Sequence, residues 1–280
     1  MAVAASKIVL VTGANNGIGY ETAKALLQSD RAYHIFLGSR SLERAKRAVQ
    51  RLREEVPAAT NTVEILPVDL TSDQSIENAF EQVKSGPGRL DILINNAVEK
   101  PTEISSSNHP GAIFDMEFLA GRVSLRECFN RAYDVNVAGT NVLTWTFVPL
   151  LLRSADPRLL FVGGLSDITQ AGRSYFPTPP QPAGWPKNID FETIGYRCSK
   201  TALNMLMLDW NHKLKTDGVK VWAVAPGILD TGLGNLSPEM KERLGLKHAS
   251  AGGRILRSVA EGERDNDVGR YIGHDGELEW

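Results

Sequence analysis

The sequence has little cysteine, little histidine and no block of charge of one sign. Its 280 residues include two cysteines and five histidines, and the formal net charge is −2. Two cysteines at positions 128 and 198 cannot form a disulfide framework, and the scattered histidines show no metal-ligand spacing. Without a basic block, the chain lacks the electrostatic surface that attracts nucleic acid or anionic lipid. We therefore expect no metal, no nucleic-acid partner and no membrane partner.

Long hydrophobic runs are also absent, although apolar residues are plentiful. The chain is 42% hydrophobic and 23% charged, which is typical of a globular α/β protein with a substantial core. The N-terminus passes directly into a strand-like run at residues 7–11, which is too short for a signal-peptide core, and no apolar stretch reaches membrane-spanning length. The sequence predicts a soluble, cytoplasmic protein.

Apolar runs of strand length alternate with helical patterns along the chain. This alternation predicts an α/β fold, namely a Rossmann-type doubly wound parallel sheet of about seven strands flanked by helices, in a single domain over residues 1–280. Irregular stretches at about 98–123 and 168–194 are predicted insertions, and about 229–250 a substrate-side segment. The insertion at 168–194 contains five prolines and several aromatic residues, and a loop of this length is typical of a lid.

A glycine-rich turn follows the first predicted strand and precedes a helix; residues 12–19 read TGANNGIG. A strand, a glycine turn and a helix N-terminus in this order bring backbone N–H groups and the helix dipole toward one point, which suits a pyrophosphate. The second predicted strand ends at Arg40, with no carboxylate nearby. An arginine there matches a ribose 2′-phosphate and favours NADP(H) over NAD(H). The alternative is that Arg40 merely opens the next helix.

A tyrosine and a lysine lie four residues apart at the start of a predicted helix. Tyr196 and Lys200 share one helical face, and the apolar run that follows has helical spacing. A nearby ammonium lowers the pKa of a phenol from its usual value of about 10, as a general acid near neutral pH requires. Alone, this spacing also occurs in helices without a chemical role.

Six motifs together resemble those of the short-chain dehydrogenase/reductase family along nearly the whole chain. They are residues 12–19, Asp69, residues 95–97 (NNA), Asn136 in NVAGT, Tyr196 with Lys200, and Pro226-Gly227 with Thr231. Arg40 and the insertions resemble the NADPH-dependent carbonyl-reductase-like branch, which includes reductases of natural-product pathways.

The resemblance implies catalytic roles for matched residues. Tyr196 would protonate a substrate carbonyl oxygen while the nicotinamide delivers hydride to its carbon. Lys200 would lower the pKa of Tyr196 and hold the nicotinamide ribose, and Asn136 would anchor a water chain to Lys200. A small-molecule substrate and a homo-oligomer, with the helices around Asn136 and Tyr196 at the dimer face, are implied as well.

The resemblance and the glycine turn also imply the site of the NADP(H) cofactor. The expected cofactor-binding residues are Gly13, Asn15, Asn16, Gly17, Ile18, Arg40, Asp69, Leu70, Asn95, Ala97, Tyr196, Lys200, Pro226, Gly227, Ile228 and Thr231.

The sequence departs from the family pattern at two positions. Val98 replaces the last glycine of Asn-Asn-Ala-Gly, and Gly164 stands where the family places a serine that hydrogen-bonds the substrate oxygen. Loss of one such donor costs on the order of 10²–10³ in rate in other enzymes. Ser166 would be the catalytic replacement if the turn is one or two residues shorter; the alternative is that Ser166 is only a loop hydroxyl.

Three functions remain open from the sequence. The first is NADPH-dependent reduction of a ketone, aldehyde or imine on a sizeable apolar substrate, with Tyr196 as general acid. The second is a redox-neutral cyclase, isomerase or dehydratase, which Gly164 motivates. The third, a nucleotide-sensing protein without turnover, is less favoured because a sensor does not need the pair of Tyr196 and Lys200.

Overall fold

The fold is described from a computed structural model, which covers residues 6–98, 114–164, 166–174, 180–189, 192–232 and 238–280. Parts of the predicted insertions lie outside these ranges, including the lid aromatics Tyr175, Phe176 and Phe191 and the predicted helix start at Ile113.

Within these ranges, the strands form one eight-stranded sheet in the order β10-β9-β6-β5-β4-β1-β2-β3 and a separate pair, β7 and β8. Seven strands of the large sheet run parallel, and β10 joins its edge in the antiparallel direction. This confirms the predicted doubly wound sheet; the two residues of β10 are too few to form a sequence pattern. The strands are β1 (Lys7–Val11), β2 (Tyr33–Ser39), β3 (Thr62–Pro67), β4 (Ile92–Asn95), β5 (Arg158–Val162), β6 (Lys220–Val224), β7 (Leu229–Asp230), β8 (Lys247–His248), β9 (Tyr271–Gly273) and β10 (Gly276–Glu277).

Helices connect the parallel strands, and several begin at a hydroxyl cap. Ser72 accepts a hydrogen bond from the N–H of Ser75, and Ser124 accepts one from the N–H of Glu127. No helix in the described part of the chain combines the length and apolar character needed to cross a bilayer. The helices are α1 (Gly17–Leu27), α2 (Leu42–Glu55), α3 (Asp73–Ser85), α4 (Phe114–Leu119), α5 (Leu125–Tyr133), α6 (Thr140–Leu151), α7 (Ile168–Arg173), α8 (Ile194–Leu214), α9 (Pro238–Arg243) and α10 (Ser250–Ala260).

The sheet separates two apolar cores, and alternate side chains of each strand enter different cores. In β1, Ile8 and Leu10 pack with residues of α3, α6 and α8. Val9 and Val11 pack on the opposite face with residues of α1, α2 and α10. Burial on both faces explains why the strands are apolar runs rather than alternating ones.

The order of the strands reverses at β1, which lies between β2 and β4. Loops that leave the carboxyl ends of β1 and β4 therefore go to opposite faces of the sheet and open a crevice between them, where ligands bind in such folds. The glycine turn follows β1 and the NNA motif follows β4. The topology thus places both motifs at one crevice.

A π-helical segment joins α5 to α6 without a break and carries the NVAGT motif. It spans Asp134–Gly139, so the helical run from Leu125 to Leu151 is continuous but locally underwound. Single-turn π segments of this kind occur frequently at functional sites. Here the segment contains Asn136, which is 1% exposed.

The π segment lies directly against the backbone that follows β3. A Cβ on Gly139 would stand 2.0 Å from the carbonyl oxygen of Leu70. We expect Gly139→Ala to lower the free energy of unfolding by about 3 kcal/mol, since overpacking of this kind displaces backbone. Urea denaturation would measure this change in the free energy of unfolding. Gly172→Ala is the control, because a Cβ there has no neighbour within 4 Å. Equal stability of the two variants would contradict the close packing.

Candidate active site

The glycine turn forms one wall of the main cleft. Gly13 and Gly17 have φ of 65° and 55°, values that favour glycine. A Cβ on Gly13 would lie 2.9 Å from Cα of Ala97, and Asn16 makes no side-chain cap to α1. The first N–H groups of α1 are therefore not capped by that side chain and suit a phosphate group. Gly13, Asn15, Asn16, Gly17 and Ile18 all line the cleft, and their role in binding the cofactor remains a prediction.

Thr12 ties the glycine turn to the loop after β4. Its hydroxyl accepts hydrogen bonds from the N–H groups of Asn96 and Ala97, each at 2.9 Å. The Asn96 amide in turn donates to the Thr12 carbonyl at 2.8 Å. Thr12 and Asn96 belong to the recognised motifs but not to the predicted binding residues, and their exact pairing could not be read from the sequence because they are 84 positions apart.

A second arginine joins Arg40 at the far end of the cleft. Arg40 and Arg44 both line it, together with Ser39 and Ser41. The sequence analysis missed Arg44, although its position one helical turn after Arg40 was a usable signal. Two guanidinium groups and two hydroxyls form a donor set that suits a dianionic phosphate.

Asp69 and Leu70 also line the cleft. The Asp69 carboxylate accepts hydrogen bonds from the N–H and hydroxyl of Thr71, at 3.0 and 2.8 Å. These bonds hold the carboxylate in one orientation.

Tyr196 and Lys200 both line the cleft, and Lys200 is 2% exposed. The ammonium of Lys200 is 5.8 Å from the centroid of the Tyr196 ring and donates to the Val162 carbonyl at 2.9 Å. Burial lowers the pKa of Lys200 to about 8, so the amine is still mainly protonated at neutral pH.

The pKa of Tyr196 differs from the sequence-based prediction. Burial raises the pKa of the phenol well above its ordinary value, whereas the nearby ammonium was expected to lower it. The physical reason is that a phenolate here would lose its water, and Lys200 directs its ammonium to the Val162 carbonyl. The hydroxyl is therefore protonated at neutral pH, which is the form that a proton donor must have before it acts.

Asn136 is linked to α8 through Ser199. Its side-chain amide donates to the Ser199 hydroxyl at 2.9 Å, and that hydroxyl donates to the Tyr196 carbonyl at 2.7 Å. The predicted water chain from Asn136 to Lys200 remains a prediction.

Gly164 and Ser166 occupy quite different environments. A Cβ on Gly164 would lie 4.0 Å from the Tyr196 hydroxyl, so this glycine is beside the phenol. Ser166 is 2% exposed; its hydroxyl donates to the Tyr271 hydroxyl at 3.1 Å and accepts from the Asn204 amide at 3.0 Å. This placement does not support the prediction that Ser166 replaces the missing serine, because its hydrogen bonds are already used inside the protein.

The remaining predicted residues fall into two groups. Ala97 and Thr231 line the cleft. Asn95 is buried and donates to the Thr144 hydroxyl at 3.0 Å, so it ties the end of β4 to α6. Pro226, Gly227 and Ile228 follow β6; the Pro226 carbonyl lies 3.0 Å from Nε2 of His274, and Ile228 is 40% exposed.

Among the residues described, no group of His, Cys, Asp or Glu side chains is arranged to hold a metal ion.

Known proteins share this architecture and its motifs. A family model described as short chain dehydrogenase matches residues 7–173 and 187–242. The fungal short-chain dehydrogenase/reductase tropE of Talaromyces stipitatus is 44% identical over 100% of this chain and 99% of its own length. The short-chain dehydrogenase/reductase eupG of Phoma sp. is 43% identical over 92% and 91%.

A solved structure shows the same fold at lower sequence identity. NADPH-bound carbonyl reductase from chicken fatty liver superposes with a TM-score of 0.73 and 21% identity, covering 98% of this chain and 99% of that one. With the family model and the fungal relatives, the site described above leads to one conclusion: the chain belongs to the short-chain dehydrogenase/reductase family.

Proposed function

We propose that this protein is an NADPH-dependent reductase of a ketone, aldehyde or imine on a sizeable apolar small molecule of natural-product metabolism. The observation that carries the proposal is the position of Tyr196 and Lys200, which share one cleft with the glycine turn and with two arginines. A proton donor thus lies at one end of the cleft and a phosphate-binding donor set at the other. The two fungal relatives and the carbonyl reductase structure support this reading.

Each residue of the pair has a separate task in the proposed reaction. The bound dihydronicotinamide supplies hydride to the carbonyl or imine carbon. The Tyr196 hydroxyl donates its proton to the oxygen or nitrogen that gains negative charge. The Lys200 ammonium stabilises the phenolate that remains, and its pKa of about 8 lets it stay charged at neutral pH.

The cofactor assignment rests on the shape and charge of the other end of the cleft. The glycines of the turn leave space that a Cβ would fill, and a Cβ on Gly17 would lie 3.3 Å from Cβ of Thr231. Arg40 and Arg44 supply the positive charge that a ribose 2′-phosphate needs. These features support NADP(H) as the cofactor.

A redox-neutral reaction is the second candidate, and Gly164 is the observation that favours it. A reductase of this type gains rate from a second donor to the substrate oxygen. Gly164 provides no side chain beside the Tyr196 hydroxyl, and Ser166 is engaged elsewhere. An isomerase, cyclase or dehydratase could use the Tyr196 proton without a full hydride transfer.

A homo-oligomer is proposed as well. Trp145 on α6 and Met205 on α8 are 68% and 66% exposed, and these are the helices predicted to form the dimer face. Large exposed apolar side chains of this kind are typical of subunit interfaces. The cytoplasmic location remains a prediction from the sequence.

Removal of the Tyr196 hydroxyl tests the proton donor. We expect Tyr196→Phe to lower NADPH-coupled turnover of a panel of aryl ketones, aldehydes, α-diketones and cyclic imines about 10²–10⁴-fold, as for other general acids. NADPH affinity, measured by fluorescence, should change little. Tyr33→Phe is the matched control, because the Tyr33 hydroxyl is buried without a hydrogen-bond partner away from the cleft. Undiminished turnover by Tyr196→Phe would remove the phenol from the mechanism.

The arginine pair sets the expected preference between cofactors. We expect Arg44→Ala to weaken NADPH binding about 10–100-fold and leave NADH binding nearly unchanged, since a hydrogen bond to a charged group contributes about 1.5–3 kcal/mol. Calorimetric titration with both cofactors would measure it. Arg47→Ala changes an exposed arginine of the same helix and serves as control. Equal losses for NADPH and NADH would contradict a 2′-phosphate site at Arg44.

A serine at position 164 distinguishes the two candidate reactions. We expect Gly164→Ser to raise NADPH-coupled turnover about 10-fold, less than a well-placed donor contributes, because the φ of 138° at this position strains any side chain. Gly164→Ala carries the same strain without the hydroxyl and is the control. Turnover of a substrate with no matching NADPH consumption, unaffected by the serine, would favour the redox-neutral reaction.

A further inference from the structure

A buried carboxylate outside the cleft holds the first turn of the catalytic helix. Asp115 lies on α4, in the segment between β4 and α5, and is 1% exposed. Its Oδ1 accepts a hydrogen bond from the N–H of Gly195 at 2.6 Å, and its Oδ2 accepts one from the N–H of Tyr196 at 3.0 Å. One of these bonds is made to the backbone of the proton donor itself.

The other N–H groups at the start of α8 are satisfied within the local chain. Oε1 of Glu192 accepts from Thr193 and Ile194, at 2.7 and 3.0 Å, and the N–H of Arg197 donates to the Thr193 carbonyl. Thr193 itself makes no side-chain cap. Asp115 therefore supplies from a distant segment the two hydrogen bonds that a local cap does not provide.

Three helices meet at this carboxylate. A Cβ on Gly195 of α8 would lie 3.1 Å from Oδ1 of Asp115 and 3.1 Å from Sγ of Cys128 on α5. Burial, together with the nearby Asp115 carboxylate, raises the pKa of the Cys128 thiol to about 12, so the thiol stays neutral. The absence of a side chain at Gly195 is what allows the carboxylate and the thiol to approach α8 so closely.

Stability alone does not account for a carboxylate at this position. Burial raises the pKa of Asp115, and the backbone hydrogen bonds from Gly195 and Tyr196 oppose that rise only in part. A buried charge is costly to desolvate, and apolar replacements are often no less stable. What the carboxylate provides is geometry, because two oxygens fix two successive N–H groups in place. A displacement of about 1 Å at a reacting group can cost about 10²-fold in rate.

We propose that Asp115 is a positioning residue that fixes the first turn of α8 and thereby the Tyr196 hydroxyl in the cleft. It also links α4 to the proton donor. This inference rests on the proposed role of Tyr196 as general acid.

A pair of matched substitutions tests the proposal. Asp91, like Asp115, is a buried aspartate that accepts a backbone hydrogen bond, from Ile8 at 2.7 Å. It directly precedes β4, at the amino ends of the strands and therefore at the end opposite the cleft. We expect Asp115→Asn and Asp91→Asn to lower Tm to a similar degree. Only Asp115→Asn should lower kcat for the carbonyl and imine panel, about 10–100-fold, with KM and the NADPH Kd changed less than about twofold.

A second variant reaches the same junction without touching the carboxylate. We expect the methyl group of Gly195→Ala to displace Asp115 and Cys128 and to lower kcat to a similar degree. In the double variant Asp115→Asn/Gly195→Ala, the loss should be no greater than in either single variant, because both disrupt one contact.

Hydrogen exchange at residues 194–197 gives a measurement that does not depend on turnover. Asp115→Asn should speed exchange there about 10-fold or more, and Asp91→Asn should not. A kcat for Asp115→Asn within twofold of that for Asp91→Asn, or unchanged exchange at 194–197, would overturn the proposal. If the unaltered protein reduces no member of the panel, the proposed function fails, and the exchange result alone decides whether Asp115 holds the helix start.

Discussion

The site depends on the reversal of strand order at β1. It also depends on the Thr12 hydroxyl, which joins the two loops that this reversal separates. Because β2 and β4 flank β1, the loops after β1 and β4 diverge, and bare backbone N–H groups face the crevice between them. Thr12 rejoins the two loops by accepting from Asn96 and Ala97. The cleft, the arginine pair and the pair of Tyr196 and Lys200 are all arranged around that junction.

Burial governs the chemistry of the catalytic pair more than mutual attraction does. The environment that lowers the pKa of Lys200 to about 8 also raises that of Tyr196. The pair therefore consists of a neutral phenol and an ammonium directed at the Val162 carbonyl. A phenol in this state donates a proton only if a nearby positive charge stabilises the resulting phenolate. Desolvation and the Lys200 ammonium therefore jointly determine how readily Tyr196 gives up its proton.

The helix that carries the pair is fixed at several points that lie far apart in the sequence. Asn136 donates a hydrogen bond to Ser199 of this helix, and Asp115 accepts hydrogen bonds from its first N–H groups. Asn204 lies on the same helical face as Tyr196 and Lys200 and donates a buried hydrogen bond to Ser166. The last contact explains why a serine close to Gly164 does not supply the missing donor. The Ser166 hydroxyl instead links α8 to Tyr271 of β9, because it accepts from Asn204 and donates to the Tyr271 hydroxyl.

Much of the fold and about half of the site were predictable from local patterns. Apolar runs of strand length, alternating with helical patterns, predicted the strands and helices, because burial on both faces and helical periodicity act over a few residues. The glycine turn, Arg40 and the spacing of Tyr196 and Lys200 indicated the cleft, because each of these signals also lies within a few residues of sequence. Arg44 was missed despite a signal at helical spacing, whereas β10 was too short to have one.

The sequence by itself determined the layered α/β architecture and indicated the glycine turn and the pair of Tyr196 and Lys200, since each follows from residues that are neighbours along the chain. Only the tertiary structure decided which way Ser166 points, in which direction the pKa of Tyr196 shifts, and that Asp115 caps α8. These depend on burial and on hydrogen bonds between segments about 80 to 105 residues apart, and desolvation is a property of the packed molecule that no local pattern contains.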